Sequence, residues 1–162
     1  MEYIKSMFKD RKMDFTSKDQ LKDLIDSSHA ALVKQESDEY KKSIDAYNLS
    51  GTTAWMAILH HNKLIWANVG DSRAVLYTWD KFNRWDATQL SKDHKLHVSA
   101  EKERIERFGG VVKQFLNSEG KPFGPQRVWR SNQSTPGLAM SRSCGDTIAH
   151  TLGVISIPGI YC

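Results

Sequence analysis

Cysteine is scarce in this chain: Cys144 and Cys162 are the only two, they form no CxxC pair, and a disulfide scaffold or a cysteine-built zinc site is excluded. Two such cysteines fit a reducing, intracellular compartment, cytoplasmic or nuclear. Long apolar runs are also missing. The longest strictly apolar stretch, residues 54–59, is a fraction of the roughly 20 residues that cross a bilayer. The charged N-terminal stretch has no apolar segment of the secretory kind, so neither a membrane span nor a leader is expected. Charge of one sign is not in excess: Lys+Arg number 23 against 19 Asp+Glu, a net +4. Residues 1–49 carry 9 basic and 10 acidic groups, residues 50–162 carry 14 and 9. That mild bias is far from a polycationic arm, and the five tryptophans fall mostly in strand patterns where core packing explains them, so no nucleic-acid partner is expected.

What is present is enough for one folded domain over residues 1–162. The chain is 40% hydrophobic and 10% aromatic, which places it outside the disordered class. Residues 2–9 and 17–39 read as helices, the second opened by a capping box of Ser17 and Gln20 and carrying Leu21, Leu24, Ile25, Ser28 and Leu32 on one face. From Ser50 the period changes to two. Residues 52–59 and 63–69 read as a hairpin closed around His60-His61-Asn62, and the second strand is apolar on both faces, as a central strand covered on both sides would be. Residues 74–79 and 88–90 supply two further strands, making an antiparallel meander. Ser99 is the expected N-cap of a helix with Glu101 and Glu103 in its first turn, a Glu103–Arg107 pair, and Gly109-Gly110 at its end. Residues 111–137 hold so many glycines and prolines that an irregular segment is expected. Helices, then strands, then a helix define an α+β domain with antiparallel sheets.

Three short segments set a carboxylate beside a small residue in a turn: Gly70-Asp71-Ser72-Arg73, Ser91-Lys92-Asp93-His94-Lys95, and Ser141-Arg142-Ser143-Cys144-Gly145-Asp146. Such turns aim oxygen ligands at Mg²⁺ or Mn²⁺, and equally serve as Asx caps of their own backbone. His94 and His97 have a metal-like spacing but no third ligand nearby, so solvent-exposed loop positions are expected for them and for His60-His61. Neither Ser50 nor Ser141 has a His/Asp partner at nucleophile spacing.

Taken in order, the segments resemble one family, the metal-dependent protein serine/threonine phosphatases of type 2C, in their plant and protist branch. The resemblance rests on Ser50-Gly51-Thr52-Thr53-Ala54, on residues 67–74, on Leu90-Ser91-Lys92-Asp93-His94-Lys95, and on Glu101-Lys102-Glu103-Arg104-Ile105 with Gly109-Gly110. Arg127-Val128-Trp129 and residues 136–146 complete it. It covers residues 50–161. It implies the central part of a layered α-β-β-α sandwich with antiparallel sheets. It further implies two metal ions, Mg²⁺ or Mn²⁺, and a metal-bridging hydroxide that attacks the phosphate of a phosphoserine or phosphothreonine in a phosphoprotein substrate.

The family's Asp-Gly-His, Asp-Gly and Asp-Asn metal-holding segments have no counterpart in this sequence. The expectation is therefore a truncated phosphatase domain with no catalytic residue of its own, no ordered metal pair, and no activity as this chain alone. Asp71 matches the family's position for a third, looser metal. Arg142 and Asp146 match a motif near the cleft, where Arg142 would pair with a buried carboxylate. Trp129 and Arg130 match the flap beside the substrate cleft. Cys144 and Pro158-Gly159-Ile160 depart from the usual pattern. A sandwich without its outer strands would also self-associate through the exposed sheet edges. The alternative reading is a non-catalytic, pseudophosphatase-like interaction module.

Overall fold

A computed structural model describes residues 49–60 and 63–161, preceded by Ser17, Asp19, Gln20, Asp23, Ser27 and Ala30. Those last five are helical, and the Gln20 backbone N–H lies 3.4 Å from Ser17 Oγ, one half of the expected capping box. The remainder of the helix at 17–39, its packing on the sheet, and the helix at 2–9 lie outside the described residues.

The order thereafter is β1 (Gly51–Thr52), β2 (Ala54–His60), β3 (Lys63–Val69), β4 (Val75–Trp79), β5 (Trp85–Gln89), α1 (Ser99–Arg107), β6 (Val111–Leu116), β7 (Pro122–Trp129), β8 (Pro136–Leu138), β9 (Cys144–Gly145), α2 (Thr147–His150) and β10 (Gly159–Tyr161). All strand pairs are antiparallel, in the orders β1-β9, β10-β3-β2, β4-β5 and β6-β7-β8. This is an α+β fold.

β2 alternates half-buried Ala54, Met56 and Ile58 with exposed Trp55, Ala57 and Leu59, the period-two pattern of a strand covered on one face. β3 is central, as its two apolar faces require: Ile65, Ala67 and Val69 are buried on one side while Leu64 and Trp66 are half-buried on the other. Trp66 stacks on Tyr161 of β10, its cross-strand partner, and its Nε1–H donates to the Leu90 carbonyl at 2.7 Å. The meander expectation fails at this point. β3 pairs with β10 rather than β4, because Gly70 (φ +95°) turns the chain out of the sheet and, among the described residues, the next two strands pair only with each other. β5 also starts earlier than expected, at Trp85.

A second correction concerns residues 111–137. They form the β6–β7 hairpin and β8, not an irregular segment. Asn117 closes the hairpin by accepting from the Glu119 and Lys121 N–H groups on its Oδ1, and Pro122 and Pro125 lie within β7, whose ladder is already interrupted by a register shift.

α1 begins as expected, but Val98 is its N-cap and no side chain caps it. The expected Glu103–Arg107 pair does not form; the helix instead pairs Glu101 with Arg104 and Lys102 with Glu106. Among the described residues the hydrophobic core falls into two clusters. Leu96, Ile105, Val128, Ala149, Leu152 and Val154 join α1, β7 and α2, while Ala67, Val69 and Cys144 join β3 and β9.

Candidate functional site

The three motif segments meet at the C-terminal end of β3. Asn68 is wholly buried, and its Nδ2 donates to the carbonyls of Gly70 and Lys92 at 3.1 and 3.2 Å. The chain then closes on residues 91–95 like a zipper. Gly70 N–H donates to His94 Nδ1 at 3.1 Å, and His94 N–H returns a bond to the Gly70 carbonyl at 3.0 Å. Ala74 N–H donates to Ser91 Oγ at 2.9 Å, and Arg73 makes a two-pronged bond to Asp93 at 3.1 and 2.7 Å. Asp71 forms an ion pair with Lys95. Ser72 and Thr53 share a hydroxyl–hydroxyl bond of 2.6 Å. The Asp71 carboxylate is thus held against an ammonium and does not cap its own turn.

The third segment is held from below by one carboxylate. Ser141 N–H donates to the His94 carbonyl at 3.0 Å. Glu101, 5% exposed, accepts from Arg142 Nε and Nη2, from Arg104 Nη2 at 2.7 Å and from Ser141 Oγ at 2.6 Å. Arg142 also donates to the Ile157 carbonyl at 2.7 Å, and Arg104 to those of Gly153 and Ser141 at 2.8 Å. Burial pushes the Glu101 carboxyl up, but the bonds from Arg142, Arg104 and Ser141 outweigh it and hold the group at about 2. Burial and the nearby Arg142 charge push His94 down to about 4. Asp146 is buried at the start of α2 with φ 47°, and burial pushes its carboxyl up. Gly51 makes room for it: a Cβ there would lie 1.9 Å from Asp146 Oδ2.

The site residues expected from sequence therefore divide. Asp71 and Arg142 belong to one connected region around Gly70, His94 and Glu101, while Asp146 lies against Ser50 and Gly51. Trp129 and Arg130 lie apart from it at the end of β7, where Trp129 is buried and donates from Nε1 to the Lys113 carbonyl at 3.1 Å. His94 is buried rather than solvent-exposed, and His97 is exposed. Glu101 and Lys95 stand in the sequence as a first-turn helix acid and as motif members, without a site role of their own. The signal for Glu101 was its spacing: it sits four residues before Ile105, on the helix's buried stripe, where a carboxylate requires a partner.

Among the described residues no three His, Cys, Asp or Glu side chains converge on a common point, and Asp71 is already paired with Lys95. These residues do not by themselves fit a bound Mg²⁺ or Mn²⁺. What they do is fasten three loops to one helix.

Two solved structures share this arrangement of helices and antiparallel sheets, which defines an α+β class of fold. The serine-threonine phosphatase 2C of Toxoplasma gondii superposes with a TM-score of 0.66 at 22% identity, covering 99% of this chain and 52% of that one. A C. elegans sex determining protein superposes with a TM-score of 0.67 at 20% identity, covering 99% and 33%. A family model described as Protein phosphatase 2C matches residues 3–160, and the chain belongs to that family. Probable protein phosphatase 2C 12 of Oryza sativa subsp. japonica is 46% identical over 111 residues, and probable protein phosphatase 2C 61 of Arabidopsis thaliana 40% over 119. The matches cover 68% and 74% of this chain but only 28% and 35% of those relatives, so the chain spans about a third of their length.

Proposed function

We propose that this chain is the central, scaffold-forming part of a Mg²⁺- or Mn²⁺-dependent protein serine/threonine phosphatase, whose whole protein removes phosphate from phosphoserine and phosphothreonine in phosphoproteins. The observation that carries the reading is the family match over residues 3–160. The convergence of residues 70–74, 91–95 and 141–146 supports it, because three motif segments far apart in sequence share one hydrogen-bonded region. The chain's own residues orient loops there: Lys95 sets Asp71, His94 sets Gly70, and Glu101 sets Arg142.

These 162 residues alone are proposed to be inactive. Two-cation catalysis needs several carboxylates converging to within about 4 Å of shared ions, and Asp71, which matches the family's position for a looser metal, is paired with Lys95. Incubation with Mn²⁺ and a phosphothreonine peptide tests this; the expected release of phosphate is nil, and steady Mn²⁺-dependent turnover would refute it.

Self-association belongs to the same reading. Among the described residues β4 and β5 pair only with each other, and Tyr77, Trp79, Phe82 and Trp85 on that hairpin are each more than half exposed. Apolar surface beside free strand edges favours a second copy as its cover. The intracellular setting suggested by two cysteines without a framework is part of this proposal as well.

A further inference from the structure

The β6–β7 hairpin carries a groove that the phosphate chemistry does not use. It has a volume of about 530 Å³ and lies between β6 and the 132–137 turn, with Phe115, Leu116, Trp129 and Pro136 among its apolar lining and Lys113 and Ser134 among its polar rim. The rings are fixed rather than loose. Phe115 meets Trp129 edge-on at 5.2 Å and stacks on Phe123 at 5.9 Å, while Trp129 is anchored through its Nε1–H to Lys113.

The charge around the groove is one-sided. Residues 111–137 contain Lys113, Lys121, Arg127 and Arg130 against a single acid, Glu119, and that acid is paired with Lys121 at 3.0 Å. Among the described residues Lys113, Arg127 and Arg130 have no carboxylate partner. Lys113 lies 5.8 Å from the Trp129 ring and Arg127 5.1 Å from the Phe115 ring, contacts that place the cations over the aromatic lining without neutralising them. An occupant therefore has to supply an apolar side chain for the rings and negative charge for Lys113 and Arg127.

We propose that this groove docks an acidic peptide segment bearing an aromatic or large apolar side chain, and so selects substrates whose phosphorylated site lies near such a segment. The inference rests on the phosphatase reading for its choice of a substrate segment as occupant; the docking itself does not require turnover.

The test uses this chain and unphosphorylated, fluorescein-labelled peptides read by anisotropy. An acidic hexapeptide with one central Phe is compared with the same peptide carrying Lys at every acidic position, with Ala in place of Phe, and with a single-stranded oligothymidine. The acidic Phe peptide is expected to bind at least about tenfold tighter than each of the others, and to weaken as salt rises from about 0.05 to about 0.5 M. Lys113→Glu and Lys113→Ala change an exposed side chain of the groove, and each variant is checked for retained fold by circular dichroism. Both should lose most of this binding. Equal affinity for all peptides, preference for the oligothymidine, or binding unchanged in both folded variants would overturn the proposal. Failure of a phosphatase chimera carrying residues 50–161 to hydrolyse a phosphopeptide would count against the phosphatase reading and leave the binding result standing.

Discussion

Glu101 and Arg142, 41 residues apart in sequence, meet in a doubled hydrogen bond beneath the candidate site, with Arg104 and Ser141 completing the shell around the same carboxylate. Removing the negative charge would leave two half-buried guanidinium groups without a counter-ion. Glu101→Gln should cost about 3–5 kcal/mol of unfolding free energy in urea titrations. The Glu101 carboxyl sits at about 2 when folded against 4.5 ordinarily, so its contribution is complete above 4.5 and disappears as pH falls through about 2. Wild type should lose stability over that window more steeply than Glu101→Gln. A variant as stable as wild type would show that the shell is dispensable.

His94 gives a second pH signature. Its Nδ1 accepts the Gly70 N–H, so the neutral ring is the form that fits, and the group sits at about 4 instead of 6.5. The unfolded chain binds the extra proton first, so stability is full above 6.5 and falls as pH drops towards 4, by roughly 3 kcal/mol at most. Proton NMR of the His94 ring should show no titration near neutrality. A midpoint close to 6.5 would contradict the buried acceptor role.

Asp146 behaves in the opposite sense. Burial raises its carboxyl, so the ionised form opposes folding, and the penalty grows as pH rises through the raised value. Asp146→Asn keeps the shape, tolerates the φ of 47°, and removes the charge. Its melting temperature should exceed that of wild type at pH 7, with the difference vanishing in acid. A lower melting temperature at pH 7 would mean that the carboxylate has a favourable role.

The exposed β4–β5 hairpin should make the chain concentration-dependent. Sedimentation velocity at tens of micromolar is expected to show dimers or larger species, and Trp85→Lys, at a position 67% exposed, should shift them to monomer. Monomeric wild type at that concentration would remove self-association from the account.

Sequence legibility followed the physics of each element. β2 and β3 were readable because alternation in one and two apolar faces in the other are direct imprints of burial. α1 was readable from its span, but not its cap, since Val98 leaves no side-chain signature. Residues 111–137 were misread because prolines at 122 and 125 and glycines at 120 and 124 count as breakers in a local reading, although a bulged hairpin accommodates them. The β3–β10 pairing spans some ninety positions and has no local signal. At the site, Asp71, Arg142 and Asp146 were legible as motif members; that Lys95 answers Asp71 and Glu101 answers Arg142 is a property of the folded chain alone.

On the proposed reading this chain supplies the scaffold of a protein phosphatase rather than its metal centre. The most direct test places residues 50–161 into the matching stretch of the Arabidopsis relative that is 40% identical to it, and measures phosphate release from a phosphothreonine peptide with and without Mn²⁺. Mn²⁺-dependent release by the chimera, weakened by Asp71→Asn, is expected, with none from the 162-residue chain alone. A folded chimera without activity, or an isolated chain with full Mn²⁺-dependent activity, would contradict this reading.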